Sequence, residues 1–251
     1  MVVIGVLSGK GGVGKTTVTS NLAAALSSEF KRKVIILDTN VSSSHIRLHF
    51  GMVDEIKKTL PDVIRGKTTV SKATYSHEIT GVDVVPSSLG LHPNLNLEKV
   101  KKIAGDLAVS AYDFVVIDAS PGFGRDVIDA INASDIILVV TNPNFPDVSD
   151  ALKIVELANG KGKKIFVVLN KVKGKKYELD KDKVESMLDS KVAMVIPEDD
   201  KVPESISKGV PVVVYDKGSR ASISFKKLAA FLTDTEYKPS FADRIKWFIG
   251  I

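Results

Sequence analysis

Short, nearly continuous apolar runs rich in β-branched residues recur at residues 2–7, 34–37, 82–85, 114–117, 136–140, 165–169 and 192–196, with a further one at 212–214. Their length and lack of alternation predict strands covered on both faces. Between them, apolar residues recur at helical spacing over 17–26, 97–109, 127–133, 148–158, 184–188 and 220–232. This alternation predicts an α/β fold: one doubly wound, mostly parallel sheet flanked by helices, with ligands at the carboxyl ends of the strands. Residues 39–76 show no clear period. Residues 1–236 then form one domain and 237–251 a tail.

The tail has its own pattern. On a helix, Phe241, Ile245, Phe248 and Ile249 share one face with Trp247 and Ile251 beside it, while Asp243, Lys246 and Gly250 lie opposite. Two uses fit: an amphipathic helix lying in a membrane interface, or a terminal helix docked on the core.

Composition narrows the classes. A chain of 251 residues with 44% hydrophobic content can bury one sizeable core. No apolar stretch is long enough to span a bilayer and no secretory signal is visible, so a cytoplasmic location is expected. If the tail binds lipid, peripheral association with the inner face of the cell membrane is added. Cysteine is absent, and His45, His49, His77 and His92 are scattered, so any metal is expected to arrive with a ligand. Glutamine is also absent while Lys, Asp and Glu are plentiful, which fits a thermophilic source. The net charge of +5 leaves nucleic acid, an anionic membrane and simple solvated lysines all open.

The chemistry lies between the first strand and the first helix. Gly9, Gly14, Lys15 and Thr16 fit G-x-x-x-x-G-K-[ST], a phosphate-binding loop. Backbone amides over Gly11, Gly12, Val13, Gly14 and Thr17 would surround phosphate oxygens, Lys15 would neutralise charge and Thr16 would ligate Mg²⁺. Asp38 and Asp118 end two predicted strands at the same sheet edge, where acids beside a phosphate loop hold Mg²⁺. As isolated strand-end aspartates they would be turn or cap residues.

Lys10 adds a second lysine early in the loop, and Lys10-Gly11-Gly12-Val13-Gly14-Lys15-Thr16-Thr17 resembles the deviant Walker A loop of the MinD/ParA family of dimerising ATPases, P-loop NTPases of SIMIBI type. The resemblance runs from Val2 through the Pro197 loop to the tail. It implies ATP, ADP and Mg²⁺ as cofactors, an ATP-bound homodimer, and a Lys10 that reaches the partner's phosphates. Asp118-Ala119-Ser120-Pro121-Gly122 resembles the family's Walker B and switch II segment, with the Gly122 amide facing a γ-phosphate. Asn170 falls where the family reads the adenine N6/N7 edge. Lys173 stands where a guanine site needs a carboxylate acceptor, so ATP is expected over GTP.

Pro197, Glu198 and Asp199 match the loop whose backbone lines the base, and Asp150 falls at the position of an interface aspartate. The tail resembles the membrane-targeting segments of MinD-type members. One departure concerns hydrolysis: the family has an aspartate two residues after Asp38, and this chain has Asn40, which can orient water but cannot take a proton. The implied function is an ATP-dependent switch for cell division or positioning that hydrolyses slowly, with a protein activator or cargo. A DNA-partition ATPase and a nearly non-hydrolysing scaffold are the alternatives.

Overall fold

The computed structural model describes residues 1–40, 44–52, 56–88, 95–108 and 112–238. The expected membrane residues Phe241, Ile245, Trp247, Phe248 and Ile249, together with His92, lie outside the described residues.

The apolar runs become β1 (Val2–Leu7), β2 (Val34–Asp38), β4 (Val82–Val85), β5 (Phe114–Asp118), β6 (Ile136–Thr141), β7 (Lys164–Val172) and β8 (Val192–Pro197). A short strand β3 (Tyr75–His77) joins them in an eight-stranded sheet of order β3-β4-β2-β5-β1-β6-β7-β8. Every neighbouring pair is parallel except β3 with β4. The longer helices are α1 (Lys15–Ser28), α4 (Lys99–Ala108), α5 (Arg125–Ala133), α6 (Phe145–Asn159), α7 (Lys181–Leu188) and α10 (Arg220–Leu232). Shorter ones are α2 (Ile46–His49), α3 (Leu60–Ile64), α8 (Lys201–Ser207) and α9 (Val212–Tyr215).

Strand periodicity feeds two cores. Val3 and Leu7 of β1, with Ile35 and Leu37 of β2, point into the layer under α4, α5, α6 and α7. Ile4 and Val6, with Val34 and Ile36, point into the layer under α1 and α10. Each such side chain, fully buried, contributes about 1.5–3 kcal/mol of transfer free energy. Both faces are therefore covered, and the carboxyl ends of the parallel strands are left as the accessible edge that carries the loops.

The expected strand at 212–214 is a helix instead. Pro211 starts it in an extended conformation, Val214 and Tyr215 donate to the Pro211 carbonyl, and Val212 and Val213 pack in the second core. Three valines are too few to show a period, and burial against helices overrides their strand preference. In the unread stretch 39–76 lie α2, α3 and β3. The Tyr-Ser-His of β3 has one buried side chain, His77, so it carries no apolar signal. Among the described residues, no helix is long and apolar enough to cross a membrane.

Candidate functional site

The loop between β1 and α1 turns at Gly14, whose φ of +92° places it in the left-handed region. A Cβ there would collide with the Asn170 side-chain amide, so both backbone conformation and space demand glycine. Gly9 meets a different limit: a Cβ would fall 2.5 Å from the Asp150 carbonyl. The Ser8 hydroxyl donates to the Lys10 carbonyl (3.0 Å) and the Asn170 amide to the Val13 carbonyl (2.8 Å), bracing the loop on both sides.

Asp118, at the end of β5, is the hub beneath the loop. Lys15 Nζ donates to its Oδ1 (2.6 Å), Thr19 Oγ1 to the same oxygen (3.0 Å), and Thr16 Oγ1 to Oδ2 (2.8 Å). Asp38 stands beside it in strand register and is fully buried. Its carboxylate accepts from Ser44 Oγ (2.5 Å) and the Asn40 amide (3.0 Å). Burial, then the neighbouring Asp118 charge, pushes Asp38 up to about 7 against the pull of those hydrogen bonds.

Two carboxylates and a threonine hydroxyl form the oxygen-rich, partly hydrated donor set that Mg²⁺ takes together with phosphate. The backbone fits a phosphate as well, since Gly11 and Gly12 line the cleft and a Cβ at either would meet nothing within 4 Å. Among the described residues, no cluster of three His, Asp or Glu side chains could hold a metal alone. The residues present thus fit a magnesium–nucleotide complex.

That loop forms one end of a cleft of about 600 Å³ whose other end is lined by Asn170, Lys171, residues 196–200, Ile206 and Phe225. Lys171 holds a left-handed conformation (φ +55°) and its ammonium donates to the Gly12 carbonyl (2.8 Å), tying the far end back to the phosphate loop. Lys173 lies 3.2 Å from Glu198, an exposed pair. The Asp199 carboxylate accepts from the Lys201 and Ala221 amides (2.9 Å each), so its side chain braces α8 and the start of α10.

At the rim, the Asp150 carboxylate pairs with Lys153 on its own helix (3.0 Å), and its backbone lies against Gly9. The acid that meets Lys10 is Asp147, at 3.0 Å. Asp147 also accepts from Asn142 Nδ2 (2.9 Å) and Asn144 Nδ2 (3.0 Å). Burial acts to raise the Asp147 carboxyl, but Lys10 and the two asparagines outweigh it and hold it below the usual carboxylate range. The signal was present as Asn144-x-x-Asp147, a helix cap followed by a first-turn acid.

The Gly122 amide donates to the Ser8 carbonyl (3.0 Å), so facing a γ-phosphate requires that bond to break. Asn40 is buried and lines the cleft with Lys10 and Lys15. Exposed Phe123 and Phe145 stand next in sequence to Gly122 and Asn144, giving the rim an apolar surface.

Residues 4–212 match the CobQ/CobB/MinD/ParA nucleotide binding domain. An uncharacterised ATP-binding protein of Methanocaldococcus jannaschii is 33% identical over 255 residues, covering 99% of this chain and 94% of its own. Among solved structures, the cell division ATPase MinD of Pyrococcus furiosus is similar with a TM-score of 0.85 and 30% identity, covering 93% of this chain and 98% of its own. The septum site-determining protein MinD of Pyrococcus horikoshii, solved with Mg-ADP, aligns with a TM-score of 0.84 and 29% identity, covering 92% and 95%.

Proposed function

Because the chain belongs to the CobQ/CobB/MinD/ParA nucleotide-binding family, we propose that it is an ATP-dependent dimerisation switch of MinD type, attached reversibly to the membrane by its tail and acting in cell division or positioning. The observation that carries this is Lys10. Its side chain is 55% exposed at the rim of the cleft and is held by Asp147 on α6 instead of by its own phosphate loop. A lysine there can serve a phosphate brought by a second copy, and Phe123 and Phe145 offer that copy an apolar contact.

In this reading the loop amides hold the phosphates and Lys15 shifts from Asp118 to them. Thr16, Asp38 and Asp118 would hold Mg²⁺, which would supply charge neutralisation to the bound phosphates. Asn170 offers a donor and an acceptor that complement adenine N7 and N6, the pairing expected of an asparagine amide. Asn40 orients the attacking water by hydrogen bonds alone, which favours slow turnover.

One tail buries few side chains and loses conformational entropy on ordering, so two tails on one dimer bind as a unit. The test is sedimentation with anionic phosphatidylglycerol vesicles in Mg·ATP and Mg·ADP. Stronger binding in ATP, lost in Phe248→Glu, is expected. Equal binding in both nucleotides, or none, rejects the membrane part of the reading. Retention on duplex DNA that falls steeply with salt would favour the partition alternative.

A further inference from the structure

His49 ends α2, is only 6% exposed, and lines the cleft. Its Nδ1 lies 3.0 Å from Ser20 Oγ, in the second turn of α1. The Ser20 hydroxyl spends its one hydrogen on the Thr17 carbonyl (3.1 Å), so Nδ1 carries the ring proton and donates to Oγ. Burial lowers the ring to about 4 and leaves it uncharged at neutral pH. Nε2 is therefore a bare acceptor. It has no hydrogen-bond partner among the described residues and is not sealed from solvent, so it is open to the cleft.

Where α2 packs decides what Nε2 can meet. One neighbour is α1, whose first turn closes the phosphate loop, and the other is α8, which follows the residues 196–200 that line the far end of the cleft. Just beyond the two helices, α2 and α8 meet backbone to backbone, since a Cβ at Gly209 would fall 2.5 Å from Gly51 Cα. His49 thus stands on a fixed wall between the phosphate end and the base end. In a nucleotide the sugar joins those two parts. An ionised phosphate oxygen cannot satisfy Nε2, because it too only accepts, whereas a ribose hydroxyl donates. The hydroxyl would serve the opposite ring tautomer as well, since it also accepts.

We propose that His49 binds a ribose hydroxyl of the nucleotide and makes the cleft prefer ribonucleotides to deoxyribonucleotides. The inference rests on the ATP reading proposed above. Ser20 holds the ring from behind, so the acceptor is in place before the ligand arrives. One neutral hydrogen bond of this kind changes a dissociation constant roughly two- to tenfold.

Calorimetric titration of the whole chain with the magnesium forms of ATP, 2′-deoxy-ATP and 3′-deoxy-ATP tests it, on native protein, His49→Asn and His49→Gln. An asparagine amide can keep the Ser20 contact but falls short of the cleft, whereas a glutamine amide can reach the place of Nε2. Native protein is expected to bind ATP more tightly, by the factor above, than at least one deoxy form, and the form that loses names the hydroxyl. His49→Asn should lose this preference with little change in melting temperature at neutral pH, and His49→Gln should keep most of it. Equal native affinity for all three nucleotides overturns the proposal. So does a preference that survives in His49→Asn, the result expected if His49 serves only to hold α2 on α1. Native protein that binds none of the three rejects the ATP reading itself.

Discussion

Lys15→Met removes the ammonium that lies 2.6 Å from Asp118, a pair in which the side chains are 7% and 1% exposed. Asp118 then sits buried beside Asp38 with threonine hydroxyls on it, and the Ser44 hydroxyl and Asn40 amide on Asp38, as neutral donors in place of a cation. Breaking a buried pair by removing one partner costs about 3–5 kcal/mol. Proton uptake offsets part of this, because Asp38 already titrates at about 7 and loses the Lys15 charge that lowers it. A carboxyl with a raised folded-state pKa is most stabilising when protonated, so the defect should grow as pH rises through 7. At 2–4 °C per kcal/mol for a chain of this size, the expected drop in melting temperature is roughly 10 °C.

Thermal unfolding at several pH values measures it. Lys15→Met/Asp118→Asn, which removes one of the stranded charges, should recover stability in a double-mutant cycle. The same single variant should fail to bind Mg·ATP in calorimetry. A Lys15→Met protein as stable as the native one across pH, binding ATP undiminished, would refute the arrangement of lysine over paired carboxylates.

Asn40→Asp should raise ATP turnover, within the roughly 10²–10⁴-fold span of positioned general bases, and an unchanged or lower rate in a phosphate-release assay removes Asn40 from the water-positioning role. Mg·ATP should displace a fluorescent nucleotide analogue at lower concentration than Mg·GTP; equal competition contradicts the roles given to Asn170 and Lys173. His49 is lowered from 6.5 to about 4 by burial, so the unfolded chain binds its proton first and folding stability is lost as pH falls from 6.5 toward 4. That loss amounts to about 3 kcal/mol, and a His49→Asn variant should show a flatter dependence of unfolding midpoint on pH over that range.

Most of the sheet was legible because doubly covered strands leave unbroken apolar runs, and α10 was read over its whole length from spacing alone. The phosphate loop was legible because glycine at Gly14 is forced by both φ and the approach of Asn170, constraints that leave a fixed spacing in sequence. What escaped depended on tertiary partners. The valines of α9 look like a strand until Pro211 and the flanking helices are present. Asp147 lies in the first turn of α6, and only the fold shows that it meets Lys10, 137 positions away. The Gly122 amide, likewise, finds the Ser8 carbonyl only when β5 lies beside β1.

Lys10 is expected to act across a nucleotide-dependent interface between two copies of this chain. Light scattering coupled to size exclusion, on native protein and Lys10→Ala in Mg·ATP and Mg·ADP, tests it directly. Native protein should show twice the 27.1 kDa monomer mass in ATP alone, and Lys10→Ala should stay monomeric while still binding ATP. A native chain that stays monomeric at high concentration in ATP, or a Lys10→Ala protein that dimerises normally, would contradict it.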